Sequence, residues 1–142
     1  MSQPEKVEER RVIFIDKSHV EQAWPVAWPV LEPAFNYQAN WSPDEILDML
    51  VEGKAVLWLV ATPSQIHTAM VTWIDEYKTQ KVLTVAFTGG EMEDVYMAAP
   101  YLTDYARYAD CTAIEVNGRR GWARQLNDLG FEEYSTTTRL EL

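Results

Sequence analysis

Residues 85–96 read VAFTGGEMEDVY. An apolar run ends at Thr88, Gly89 and Gly90 follow, and then comes a segment able to start a helix. A glycine turn leading into a helix head exposes unpaired N–H groups and a partial positive charge, and both attract phosphate. The residues placed to meet that anion, however, are Glu91, Glu93 and Asp94. A full charge about 5 Å from a phosphate charge repels it by roughly 3 kcal/mol at an effective dielectric of 20, and by under about 1 in water. A carboxylate at a helix head is itself favourable by about 0.3–1 kcal/mol. The turn can therefore seat an outside anion, or Glu91 and Glu93 can cap their own helix. The sequence favours the cap.

Few other residues offer chemistry. NGRRGWAR is the only basic cluster, and Arg119, Arg120 and Arg124 can pair with nearby acids or dock a carboxylate of a partner. His19 and His67 are isolated from each other and from metal-type partners. Cys111, the single cysteine, precedes a strand and reads as a buried small residue rather than a nucleophile.

These residues sit in a chain of 142, a length that suits one compact domain. It is 47% hydrophobic and 24% charged, ordinary for a globular protein, but carries six tryptophans and seven tyrosines. The net charge of -10 disfavours nonspecific nucleic-acid binding and suits a cationic or amine partner. The acids are scattered along the chain, which argues for solubility rather than DNA mimicry. With one cysteine no internal disulfide forms, the first residues lack an apolar signal segment, and the run AVLWLVA at 55–61 is too short to cross a bilayer. The expectation is a soluble cytoplasmic protein.

Residues 1–10 read as a polar, flexible arm, and 11–142 as the domain. RVIFID is β-branched and strand-like. AWPVAWPVLEPAF carries Pro25, Pro29 and Pro33 at four-residue intervals, so it is either a kinked helix held by packing or irregular. Its rings and prolines are also an interface candidate. SPDEILDML has a capping box in Ser42 and Glu45, Pro43 at the first helical position, an apolar stripe, and Gly53 as its stop. Three strands follow, joined by turns at 62–65 and 78–80. Val95, Ala99, Leu102, Ala106 and Ala109 recur at helical spacing, and Pro100 among them implies a kink or a late start. TAIEVNG is a strand, Trp122, Leu126 and Leu129 mark a helix ended by Gly130, and the last residues form a strand. The order is strand, one or two helices, three antiparallel strands, helix, strand, helix, strand.

That order, with VLTVAFTGG before a helix, YARYADCTAIEV, and RRGWARQLNDLGF, resembles the GNAT superfamily of acyl-CoA-dependent N-acyltransferases over residues 11–142. GKAVLWLV, TVAFTGG and NGRRGW look most like small GNAT-like proteins of tailed phages. The resemblance implies an α/β (α+β) fold with a mixed, mostly antiparallel sheet flanked by helices. It implies acetyl-CoA as cofactor, with its pantetheine arm between a fourth strand at 81–88 and a fifth at 112–117. Val85 and Phe87 would meet the pantetheine amides. Thr88, Gly89 and Gly90 would form the diphosphate turn, and Arg120 would be a further phosphate anchor.

The turn departs from the family pattern: its glycines are shifted forward and its basic or amide residue is missing. The family's tyrosine acid aligns with Leu126, which cannot donate a proton. Glu115, on the fifth strand, is the candidate base for an attacking amine; its plainer role is a solvated or arginine-paired strand carboxylate. Two functions follow. One is an N-acyltransferase acting on an amine in a ternary complex. The other is a non-catalytic GNAT-like virion or host-interaction protein with a degenerate coenzyme site.

Overall fold

The computed structural model describes residues 8–36, 40–117, 126–132 and 140. Five strands form one sheet in the order β1-β2-β3-β4-β5, with β1 at Arg11–Ile15, β2 at Val56–Thr62, β3 at Gln65–Glu76, β4 at Lys81–Gly89 and β5 at Ala113–Val116. The first four pair antiparallel, and β5 runs parallel to β4. Helices α1, Val20–Phe35, and α2, Pro43–Glu52, cover one face, while α3, Met92–Tyr108, covers the other. This is a mixed α/β fold with a mostly antiparallel, helix-flanked sheet, as the element order implied.

Alternation along the strands supplies two cores. Leu57, Leu59, Ala69, Val71, Ala86 and Phe87 face α1 and α2, meeting Ala27, Leu31, Ile46 and Leu50. Trp58, Val60, Met70, Leu83 and Val85 face α3, meeting Ala98, Leu102 and Ala106. Among the described residues no helix is long and apolar enough to cross a membrane.

The proline segment is a continuous helix. A four-residue interval advances little more than one turn, so Pro25, Pro29 and Pro33 share one face, and all three are exposed. The carbonyls deprived of a helical donor therefore face water, which reduces the usual cost of about 3 kcal/mol per interior proline. The opposite face buries Val20, Ala27 and Leu31. Trp24 and Trp28 stack with centroids 5.5 Å apart and pack on the core.

Helix α2 has the capping box read from sequence. Ser42 Oγ accepts from the Glu45 amide at 3.2 Å, Glu45 Oε1 accepts from the Ser42 amide at 3.4 Å, and Gly53 ends the helix at φ 79°. Helix α3 starts before Pro100 and runs through it, with the proline on an exposed position.

Candidate functional site

The site expected at the end of β4 has two parts, an edge and a turn. The edge is created by a bulge. Val71 pairs with Phe87 but Thr72 pairs with Val85, so Ala86 is an extra residue in β4. An extra residue bends its strand and re-aims the side chains beyond it. Ala86 and Phe87 consequently both face α1. Parallel pairing to β5 runs from Val82–Ala113 to Val85–Val116, and the Asn117 amide donates to the Val85 carbonyl at 3.0 Å. From residue 86 to 89, β4 has no described strand on that side. Thr88 lies there opposite Met70 and therefore on the α3 face; its Oγ1 is buried and makes no hydrogen bond among the described residues.

The turn is closed by the chain itself. A Cβ on Gly89 would stand 2.0 Å from the Val30 carbonyl oxygen and 2.9 Å from Leu31 Cα, so this glycine lets the α1 backbone lie on β4. Gly90, at φ 118°, is pressed on β3, where a Cβ would stand 2.4 Å from the His67 carbonyl oxygen. The Glu91 amide donates to Thr68 Oγ1 at 2.9 Å, and that hydroxyl donates to Asp94 Oδ2 at 2.7 Å. Arg10 Nη1 then contacts Asp94 Oδ1 at 2.7 Å and Glu91 Oε2 at 2.6 Å. Those two hydrogen bonds, to Asp94 first and Glu91 second, raise the Arg10 pKa above its ordinary value. Asp94 is 1% exposed, and Thr68 and Arg10 satisfy its buried carboxylate.

This corrects the capping expectation. Glu91 is the N-cap of α3 but makes no side-chain cap bond, because Arg10 draws its carboxylate away; Thr68 takes the amide instead. Sequence reasoning also grouped residues 8–10 with the arm. In the structure Glu8 accepts from Ser64 Oγ at 2.5 Å and Arg10 reaches the head of α3.

A second constellation lies on the α1 face of β3, β4 and β5. Glu115 pairs with Thr84, and Thr84 pairs with Trp73, so the three share that face. Thr84 Oγ1 donates to Asp75 Oδ2 at 2.6 Å. Trp73 has Trp41 on one side at 5.4 Å and Phe87 on the other at 6.2 Å, and Phe87 stacks on Phe35 at 4.3 Å. Two half-buried carboxylates beside two partly exposed indoles form a surface that attracts a cation by charge and by ring quadrupole. Sequence reasoning named Glu115 alone. The alternation of Trp73 with Asp75 was a usable signal for the rest, whereas the contact with Thr84 depends on strand register.

Of the residues singled out from sequence, Val85, Phe87, Thr88, Gly89 and Gly90 follow one another along the end of β4, and Glu115 is one residue before the last pairing of β5. Arg120, with Arg119, Trp122 and Arg124, lies outside the described residues. Leu126 is buried. Cys111 is half-buried, and burial chiefly raises its pKa above the ordinary thiol value.

No protein-family model matches the sequence, and no curated protein matches it. Solved structures do match the fold. An aminoglycoside N-acetyltransferase AAC(6')-Iy in complex with CoA superposes with a TM-score of 0.68 at 10% identity, over 99% of each chain. A predicted acetyltransferase with acetyl-CoA from Clostridium acetobutylicum gives 0.66 at 12% identity, over 94% of this chain and 96% of that one. A transcriptional regulator from Bacillus halodurans gives 0.63 at 10% identity, over 94% and 100%. The chain therefore has the GNAT fold, and at such identities the likeness extends to the fold alone.

A coenzyme of the CoA type fits one part of this site and not the other. The Phe87–Gly89 segment of β4, which has no described strand on its β5 side, and the Thr88 hydroxyl, which makes no hydrogen bond among the described residues, suit an amide-bearing arm. The head of α3 does not suit a diphosphate, because its glycines are filled by α1 and β3, the Glu91 amide is taken by Thr68, and carboxylates surround it.

Proposed function

We propose that this chain is an N-acyltransferase of the GNAT type that transfers an acyl group from a pantetheine thioester to an amine. The observation that carries the reading is the Ala86 bulge in β4, just past the last described pairing of β4 with β5 at Val85–Val116 and beside the acidic, aromatic face. A bound thioester would supply the activated acyl carbon.

The remaining roles belong to the chain's own residues. Asp75, Glu115, Trp73 and Trp41 attract a cationic amine and hold it over the sheet. Thr84, bonded to Asp75, fixes that carboxylate and leaves Glu115 as the group that accepts the ammonium proton. Such proton removal contributes about 10²–10⁴-fold to a rate. The same proposal includes a phage origin, on the resemblance to small phage GNAT-like proteins, and a cytoplasmic location.

The closed turn favours a second reading, a GNAT scaffold without catalysis. One assay separates the two. Protein is incubated with an acetyl thioester and a panel of polyamines, aminoglycosides and peptide amines, and thiol release is followed. The enzyme reading expects amine-dependent release that falls about 10²-fold or more in Glu115→Gln. Release equal to a protein-free blank across the panel contradicts it and leaves the scaffold.

A further inference from the structure

The edge and the turn differ in what they can hold, and that difference bears on the donor. In a donor such as acetyl-CoA the thioester end is neutral and amide-bearing, and the far end of the pantetheine arm carries a diphosphate joined to a 3′-phosphoadenosine. At this site the far end would reach the head of α3. Glu91 has a half-exposed side chain, Glu93 is exposed, and Asp94 is buried beside them. Among the described residues Arg10 is the cation bonded there, and it is shared between Glu91 and Asp94, so three described carboxylates are offset by one described guanidinium. His67 Nδ1 stands 3.8 Å from Glu91. Among the described residues the turn keeps an excess of negative charge where the diphosphate would add more. Its amide at Glu91 is already bonded to Thr68, and Gly89 is buried under the α1 backbone.

We infer that the chain takes its acyl donor by the pantetheine arm alone, so that acyl-pantetheine thioesters are held as well as acyl-CoA and the diphosphate adds no affinity. This rests on the acyl-transfer reading for the existence of a donor, and on the head of α3 for its class. The Asp94 carboxylate, with its bonds to Thr68 and Arg10, stands as the internal anion of the turn.

The test is calorimetric. Acetyl-CoA, S-acetylpantetheine and inorganic pyrophosphate are titrated into the full chain and into the double variant Glu91→Gln, Glu93→Gln. Both substitutions are at exposed positions, and the variant keeps the Arg10–Asp94 pair. The inference expects the two thioesters to bind the native chain within tenfold of each other, and pyrophosphate not to bind at millimolar concentration. In the variant, acetyl-CoA or pyrophosphate should gain about tenfold or more, the size expected when two like charges leave a partly solvated site. A native preference for acetyl-CoA over S-acetylpantetheine of tenfold or more overturns the inference. So does saturable pyrophosphate binding to the native chain, or a variant that gains neither ligand. If neither thioester binds, the acyl-transfer reading fails, and the pyrophosphate titrations alone still decide whether the turn is closed by its acids.

Discussion

Helices α2 and α3 begin in opposite ways. At α2 every capping contact is local: Ser42 and Glu45 exchange bonds three residues apart, and an expected cap of this kind contributes about 1 kcal/mol. At α3 the side-chain contacts are distant: Thr68 lies 23 residues from Glu91, and Arg10 lies 84 from Asp94. The local start was legible in SPDE. The distant one was not, because nothing in EMED shows that an arginine from the far end of the chain will arrive. A helix head whose anion and cation both come from its own chain is a joint: it ties β3 and α3 to the residues before β1, and the Glu91 amide is taken up in it.

The comparison breaks first at the glycines. Gly89→Ala places a Cβ in the Val30 carbonyl, so α1 must lift from β4; the expected loss is about 3 kcal/mol by denaturant unfolding. Gly53→Ala, at the solvent end of α2, should cost less, about 1 kcal/mol, from its left-handed backbone. Equal losses would mean that Gly89 is not a packing residue.

The next effect is at the joint. Asp94→Ala leaves the buried Thr68 hydroxyl without its acceptor and Arg10 with only Glu91; the expected loss is about 2 kcal/mol. Ser42→Ala should cost about 1 kcal/mol at the local cap. If Asp94→Ala were neutral, the joint would carry no stability and the turn could open freely.

The smallest effect concerns burial near the other end of α3. Burial is the first cause raising both the Cys111 thiol and the Tyr105 phenol above their ordinary pKa values. A raised folded-state value favours the neutral form, so this stability is full below the ordinary values and is lost as pH rises through the raised ones. Stability should therefore decline on the alkaline side, and iodoacetamide should alkylate folded Cys111 more slowly than the urea-unfolded chain at pH 8. Equal alkylation rates would contradict a desolvated thiol.

Legibility followed sequence distance throughout. The succession of strands and helices and the α2 cap follow from periodicity and short motifs, whereas the approach of β4 and β5 is what the family resemblance implies. The prolines at four-residue intervals are compatible in sequence with either a kinked helix or an irregular run. Packing of its apolar face decided for a helix, with the prolines turned to water. At the candidate site Thr88 and Gly89 of TGG still belong to β4 and only Gly90 leaves the strand, because a glycine needed for close helix packing has the same signature as one needed for a phosphate. Asp75, Thr68 and Arg10 were missed because each acquires its partner only through strand register or the path of the first residues.

The central claim is that the parted edge of β4 receives a ligand and the head of α3 does not. Backbone amide shifts, followed while acetyl-CoA is titrated into labelled protein, test it most directly. The account predicts saturable shifts at Phe87 and Thr88, with Glu91, Met92 and Asp94 unmoved. Saturable shifts at Glu91 to Asp94 with Phe87 and Thr88 still would contradict it.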